Sequence, residues 1–176
     1  MLQVRDKEGG SAAFLALADR IVAIARAHGA VVLVNDRADI AALSGADGVH
    51  VGQDDLTVEA VRGILGPDAI VGLSTHDAPQ IDEALKGTAS YIAVGPVFAS
   101  ATKPAAGAER GVDLVRYAAG RGKPVVAIGG ITAERARAVI DAGASSIAVV
   151  SDLLVSADPE SRARRFVAEL SGNTGR

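Results

Sequence analysis

Cysteine is absent from the 176 residues, and aromatic residues make up only 3% of them. Without a thiol there is no disulfide frame, no thiolate metal site and no cysteine nucleophile, which fits a reducing cytoplasm. A dominant charge is missing too. Lys and Arg number 18 against 21 Asp and Glu, a formal net charge of -3, so nothing draws the whole chain toward nucleic acid or anionic lipid, and any phosphate binding must be local. No apolar run approaches the roughly 18 residues of a membrane span, the opening residues carry no signal-peptide pattern, and no Gly/Ser-rich or Pro-rich linker divides the chain. What is present is 49% apolar and 22% charged, ordinary for one globular domain able to bury a sizeable core. The expectation is a cytoplasmic protein acting on small molecules, with neither nucleic acid nor membrane as a partner and with a homo-oligomer left open.

Short apolar runs give seven candidate strands: Leu2-Gln3-Val4, Val31 to Val34, Gly48 to Val51, Ile70 to Leu73, Tyr91 to Val94, Val125 to Ile128 and Ile147 to Val150. Between them lie stretches with helical spacing, such as Phe14-Leu17-Ala18-Ile21-Val22-Ile24-Ala25, Val58-Val61-Ile64-Leu65, Ile81-Ala84-Leu85, Leu114-Val115-Ala118 and Ala136-Val139-Ile140,. Alternating strand and helix demands parallel strands joined by crossovers, and runs this uniformly apolar indicate strands covered on both faces. A degenerate repeat runs through the chain, in which a helix end, a glycine and a few small residues feed a strand, at Gly29, Gly45, Gly87 and Gly143. Each glycine suits a left-handed helix cap.

Two architectures satisfy this pattern, a doubly wound open sheet and a TIM (β/α)8 barrel. The open sheet concentrates function at one switch point. Here polar residues follow nearly every strand, at Arg5-Asp6-Lys7, Asn35-Asp36, Gly52 to Asp55, Ser74 to His76, Ser100 to Lys103, Gly129-Gly130 and Ser151. A barrel distributes them in this way, because every strand ends at one shared mouth. The expected fold is therefore an α/β TIM barrel over residues 1–170, with seven βα units visible and the first strand and helix lacking, followed by a disordered tail over 171–176.

Asn35 and Asp36 close an apolar strand, and Asp55 stands in Gly52-Gln53-Asp54-Asp55 after the next one. As helix caps they need no further role. As two carboxylates on neighbouring strand tips they would share a hard cation through oxygen, with water and a phosphate filling the remaining positions. No His or Cys cluster at ligand spacing favours zinc, so the expected metal is Mg2+. Arg5, Lys7 and Lys103 at the same mouth suggest a clamp for pyrophosphate. The loops carrying Gly129-Gly130 and Val150-Ser151, after the last two strands, suggest a second phosphate site built from backbone N–H groups. None of His28, His50 and His76 is assigned a catalytic proton, and His50, between Val49 and Val51, reads as a hydrogen-bonded core residue.

As a set, these segments resemble the thiamine phosphate synthase/thiazole tautomerase family of barrels. The matching pieces are QVRDK (3–7), VNDR (34–37), GADGVHVGQDDL (45–56), GLSTH (72–76), YIAVGPVF with SATK (91–103), PVVAIGGI (124–131) and GASSIAVVS (143–151). The resemblance implies a transferase joining an aminopyrimidine methyl pyrophosphate to a thiazole phosphate. Gln3, Arg5, Lys7, Asn35, Ser74 and Lys103 would hold the pyrimidine diphosphate, with Asp36 and Asp55 on Mg2+. Ser100 and Thr102 would border the thiazole, and Gly130, Val150 and Ser151 would hold its phosphate. Arg5, Lys7 and Lys103 are the catalytic candidates, since in this family pyrophosphate leaves first and the thiazole nitrogen attacks the resulting cation. The alternatives are a thiazole tautomerase-like member, a non-catalytic phosphate-binding protein or an inactive fragment. The family also places a strand and a helix before the Gln3–Lys7 segment, so the further expectation is a polypeptide that starts upstream, with Met1 internal to it.

Overall fold

A computed structural model of the chain describes residues 1–99, 110–154 and 158–171. Strands and helices alternate as β1 Leu2–Val4, α1 Ser11–Ala27, β2 Val32–Asn35, α2 Ala38–Ser44, β3 Gly48–Val51, α3 Val58–Leu65, β4 Ile70–Thr75, α4 Ala78–Lys86, β5 Tyr91–Val94, α5 Gly111–Ala118, β6 Val125–Ile128, α6 Ala133–Asp141, β7 Ser146–Ala148, α7 Ser151–Leu154 and α8 Pro159–Ser171. This is an α/β fold with seven strands among the described residues. The chain divides into two compact units, Met1–Ser74 with Gly87–Ser90, and Thr75–Lys86 with Tyr91–Arg176.

In the first unit β1 to β4 pair in sequence order, all parallel, with Val4 opposite Val34, Asn35 opposite His50, and His50 opposite Gly72. The β2 residues Val32, Leu33 and Val34 are successive and at most 1% exposed, so this strand is covered on both faces as its unbroken apolar run requires. Phe14, Ala18, Val22 and Ala25 form the inward stripe of α1 and pack with Val32, Val34, Val49 and Val51. Leu17 and Ile24, read with that stripe in the sequence, are 38% and 63% exposed. Gly48 is required by a close approach, since a Cβ there would lie 1.8 Å from the Ile70 carbonyl oxygen.

The second unit pairs β5 with β6 and β6 with β7, again parallel, Val94 facing Ala127 and Ile128 facing Ala148. Ile92, Val94, Val125, Ala127, Val115, Ala136 and Val139 are among its buried residues. Tyr91 is 8% exposed.

Several element boundaries differ from the sequence expectation. β2 runs one residue further than expected, onto Asn35, and β4 continues through Ser74 to Thr75, where the Thr75 hydroxyl donates to the Ala93 carbonyl. β7 begins at Ser146 and stops at Ala148, so Val149 and Val150 belong to the following loop. Gly29, Gly45 and Gly143 have the positive φ of left-handed caps, at 63°, 66° and 102°; Gly87 is not among the positive-φ residues. α8 has no counterpart in the apolar pattern. It starts with Pro159 in the first turn, beneath Asp158, whose carboxylate accepts the Ser161 N–H. Among the described residues no helix is long and apolar enough to cross a membrane.

Candidate active site

Asp36 is the one non-glycine residue with positive φ among those described, at 63°. Its N–H donates to the His50 carbonyl, and the next N–H, of Arg37, turns back to the Asn35 carbonyl. The result is a tight three-residue turn with Asp36 at its centre, a conformation costly for most side chains and tolerated best by Asn and Asp. α2 gains no cap from this arrangement, since its N-cap is Arg37 and no side chain accepts there. At Asp55 the capping reading fails in the same way. The N-cap of α3 is Thr57, whose hydroxyl accepts the Ala60 N–H at 3.2 Å, while the Asp55 carboxylate accepts the Gly52 N–H at 2.8 Å.

Lys7, in the loop after β1, reaches the Asp36 carboxylate at 2.7 Å. Burial pushes the Asp36 carboxyl upward, but the hydrogen bond and charge of Lys7, with contacts from Asp55 and Asn35, hold it below the ordinary carboxylate value. Asp36 is therefore ionised at neutral pH with Asp55 beside it. Asn35 is only 9% exposed at the end of β2. Gln3 lies on β1 opposite Leu33, exposed, and Arg5 is exposed just past the strand end. Ser74, near the tip of β4, is held twice: its hydroxyl is 2.8 Å from His50 Nε2, and its carbonyl accepts from the Gln53 amide at 2.6 Å. Gln3, Arg5, Lys7, Asn35, Asp36, Asp55 and Ser74 all belong to the first unit.

His50 and Gln53 are tied to Ser74 although the sequence reading gave neither a role, His50 being read as a core residue and Gln53 only as part of the polar segment Gly52 to Asp55. His50 is 7% exposed and hydrogen-bonded, as a core histidine should be, yet its partner is Ser74. Alternation along β3 sets which face His50 takes, but its place beside Asn35 and near Ser74 comes from the strand register, which the sequence does not carry.

In the second unit, Gly129 and Gly130 follow β6 with φ of 92° and 59°. A Cβ on Gly130 would lie 2.4 Å from the Ala99 carbonyl oxygen, and the Phe98 N–H donates to the Gly129 carbonyl, so the loops after β5 and β6 are zipped together. Arg135 covers this turn, stacked 4.8 Å over the Phe98 ring and donating to the Gly130 carbonyl. Val150 is 59% exposed, and its carbonyl accepts from the N–H groups of Leu153 and Leu154, the last two residues of α7. Ser151 is exposed. His76 shapes a loop, its ring bonded to the Gly95 carbonyl and its N–H to Gln80. Ser100, Thr102 and Lys103 lie outside the described residues.

The family described as thiamine monophosphate synthase matches residues 1–153. The chain belongs to the thiamine monophosphate synthase family. Members of this family that it resembles include the thiamine-phosphate synthase of Koribacter versatilis, 46% identical over 95% of this chain and 78% of that protein. The thiamine biosynthesis bifunctional protein ThiM/ThiE of Symbiobacterium thermophilum is 45% identical over 97% of the chain, which spans 36% of that longer protein. Among solved structures, thiamine phosphate pyrophosphorylase from Pyrococcus furiosus superposes with a TM-score of 0.89 at 29% identity, covering 98% of this chain and 83% of that one. Membership of the thiamine monophosphate synthase family makes the chain a transferase of thiamine biosynthesis, and the tautomerase-like and non-catalytic readings are not favoured.

Proposed function

We propose that the chain joins 4-amino-2-methyl-5-(diphosphooxymethyl)pyrimidine to thiazole phosphate, releasing pyrophosphate and forming thiamine phosphate, on a TIM-barrel scaffold in the cytoplasm. The observation that carries the chemical part of this reading is the Asp36 turn. A side chain that caps no helix is kept in a left-handed conformation, ionised, between Lys7 and Asp55. Strained backbone of this kind persists where the surroundings enforce it, typically at functional sites.

The proposed reaction breaks the bond between the pyrimidine methylene carbon and the pyrophosphate oxygen, and the electron pair leaves with pyrophosphate. The thiazole nitrogen then donates its lone pair to the methylene carbon, which gives the thiazolium of the product with no proton transfer at that atom. No side chain need act as nucleophile or base. Arg5, Lys7 and Lys103 place positive charge where negative charge grows on the leaving group, and preorganised charge of this kind is worth most in the transition state. Gln3, Asn35 and Ser74 orient the pyrimidine, with His50 and Gln53 fixing Ser74. Ser100 and Thr102 border the thiazole, while Gly130, Val150 and Ser151 offer its phosphate backbone N–H groups and a hydroxyl.

Asp36 and Asp55 suit Mg2+, since they present oxygen donors only and lie side by side. Two carboxylates leave positions for water and phosphate oxygens, as Mg2+ prefers. When bound, the ion supplies charge to the departing pyrophosphate.

The test is formation of thiamine phosphate with and without Mg2+ by the unaltered chain and by Asp36→Asn and Asp55→Asn. Expected are a requirement for Mg2+ and a loss of about 100-fold or more in kcat/KM for each variant, several kcal/mol of transition-state stabilisation. Turnover unchanged in both variants, with the same metal dependence, would return the two carboxylates to a structural role.

A further inference from the structure

The two loops proposed to hold the thiazole phosphate are tied to one carboxylate that does not itself belong to the binding set. Asp152, the second residue of α7 and next to Ser151, is 12% exposed. Its Oδ2 accepts the N–H of Ala133 at 3.2 Å. Ala133 opens α6, three residues beyond Gly130, where helix N–H groups lack intrahelical acceptors, and the α6 N-cap residue, Thr132, makes no side-chain cap bond. Asp152 thus caps α6 from across the fold. The same carboxylate forms a bidentate pair with Arg162 of α8, Nη2 at 2.8 and 2.7 Å and Nε at 3.0 Å. Arg162 is 18% exposed, faces the ring of buried Phe166 at 6.0 Å, and lies 3.6 Å from Glu134, which also pairs with Arg165.

The geometry points to Asp152 as a positioning residue: with Arg162 it holds the Gly130 loop and the Val150–Ser151 loop in register for the phosphate of the thiazole substrate. The inference rests on the reading that these two loops bind that phosphate. Three features favour it over a simple structural ion pair. The pair is largely buried and bidentate, a geometry in which charge-assisted bonds specify direction. The Asp152 carboxylate that it holds also accepts the Ala133 N–H, which joins α6 and α7, the elements that immediately follow the two loops, so a shift at Asp152 moves Ser151 directly and Gly130 through the start of α6. Among the described residues, neither the Gly130 nor the Ser151 N–H donates to a backbone acceptor, so both N–H groups are left for a ligand, and Asp152 adds a link between the two loops to the bonds that Phe98 and Arg135 already make to the Gly129–Gly130 turn. Displacement of a binding group by about 1 Å costs on the order of 100-fold in a well-ordered site.

The experiment measures kcat and KM for each substrate separately, with direct calorimetric binding of thiazole phosphate, in Asp152→Asn, Arg162→Lys, Gly130→Ala and Arg164→Ala. Arg164 pairs with Glu160 on the exposed side of the same helix and serves as the control. Asp152→Asn keeps size but removes the charge, and Arg162→Lys keeps the charge but loses the fork. Both are expected to raise KM and Kd for thiazole phosphate about 10-fold or more and to leave KM for the pyrimidine diphosphate within about twofold. Arg162→Lys is the milder change and carries the test if Asp152→Asn does not fold. A weakened Gly130→Ala alongside unaltered Asp152 and Arg162 variants would overturn the positioning role and leave the phosphate-loop reading intact. Unchanged thiazole phosphate binding in Gly130→Ala would remove that reading and this inference with it. Equal rises in both KM values in the Asp152 and Arg162 variants would also overturn it, as general damage.

Discussion

Asp36 shows how much one side chain can be asked to do at the end of a strand. Its backbone occupies φ of 63°, a region that costs an ordinary L-residue about 1–2 kcal/mol and that Asn and Asp enter most readily. Its side chain is ionised beside Lys7 and Asp55. The two properties separate by substitution. Asp36→Asn keeps the turn and removes the charge; Asp36→Ala removes the charge and adds the backbone strain. Both variants should lose turnover to a similar degree, whereas Asp36→Ala should unfold at lower denaturant, by about 1 kcal/mol more than Asp36→Asn. Equal stabilities would mean that the turn relaxes and that the left-handed conformation is not enforced by its surroundings.

Among the elements, those that bury apolar residues at regular spacing were legible in the sequence. The chain order of β1 to β7 follows from the apolar runs, and Phe14, Ala18, Val22 and Ala25 of α1 from their spacing, while Leu17 and Ile24 of the same pattern face outward. α8 was not legible, because its turns are rich in charge and, beside the buried Phe166, it is joined to the fold through Arg162 and Arg165, which pair with Asp152 and Glu134; such partners are fixed by tertiary geometry and leave no period in the sequence. The same distinction governs the site. Asp36 and Asp55 stood out as carboxylates at strand ends, but the links from His50 and Gln53 to Ser74 depend on strand register. Arg62 is a further link of this kind. From α3 it donates to the carbonyls of Pro67, Ala69 and Thr88 and to the Ser90 hydroxyl, so one guanidinium satisfies acceptors in two loops. Arg62→Ala removes these bonds, of which those to Ala69 and Ser90 are part-buried, and should cost on the order of 1–2 kcal/mol in chemical denaturation, with Arg62→Lys recovering little because an ammonium lacks the fork. Substrate KM values should stay unchanged in the folded fraction. A loss below about 0.5 kcal/mol would show that water replaces the guanidinium at no cost.

For the whole molecule, pH dependence is a property that a composition of 18 basic and 21 acidic residues does not reveal, since it follows from which groups the fold buries. Asp82 on α4, paired with Arg121 and Tyr117, has its pKa lowered mainly by the Arg121 hydrogen bond, but it is exposed and screened, so it carries little of the stability. Tyr91 differs. At the start of β5 the residue is 8% exposed, and burial pushes the pKa of its phenol from 10.0 up to about 12. In the unfolded chain the phenol ionises near 10, while the native chain keeps the proton until about 12. Between those values the unfolded state binds fewer protons, so stability falls as pH rises through that window and is complete below it. Across the whole window the loss amounts to about 2–3 kcal/mol. Every other ionisable group is common to wild type and Tyr91→Phe, so its contribution cancels in the difference between the two proteins. Urea unfolding of both at about pH 8, 10 and 11.5 should therefore show the stability of wild type relative to Tyr91→Phe declining by about 1–2 kcal/mol across the upper half of that range. A difference independent of pH would show that the phenol ionises in the native state as readily as in the unfolded one.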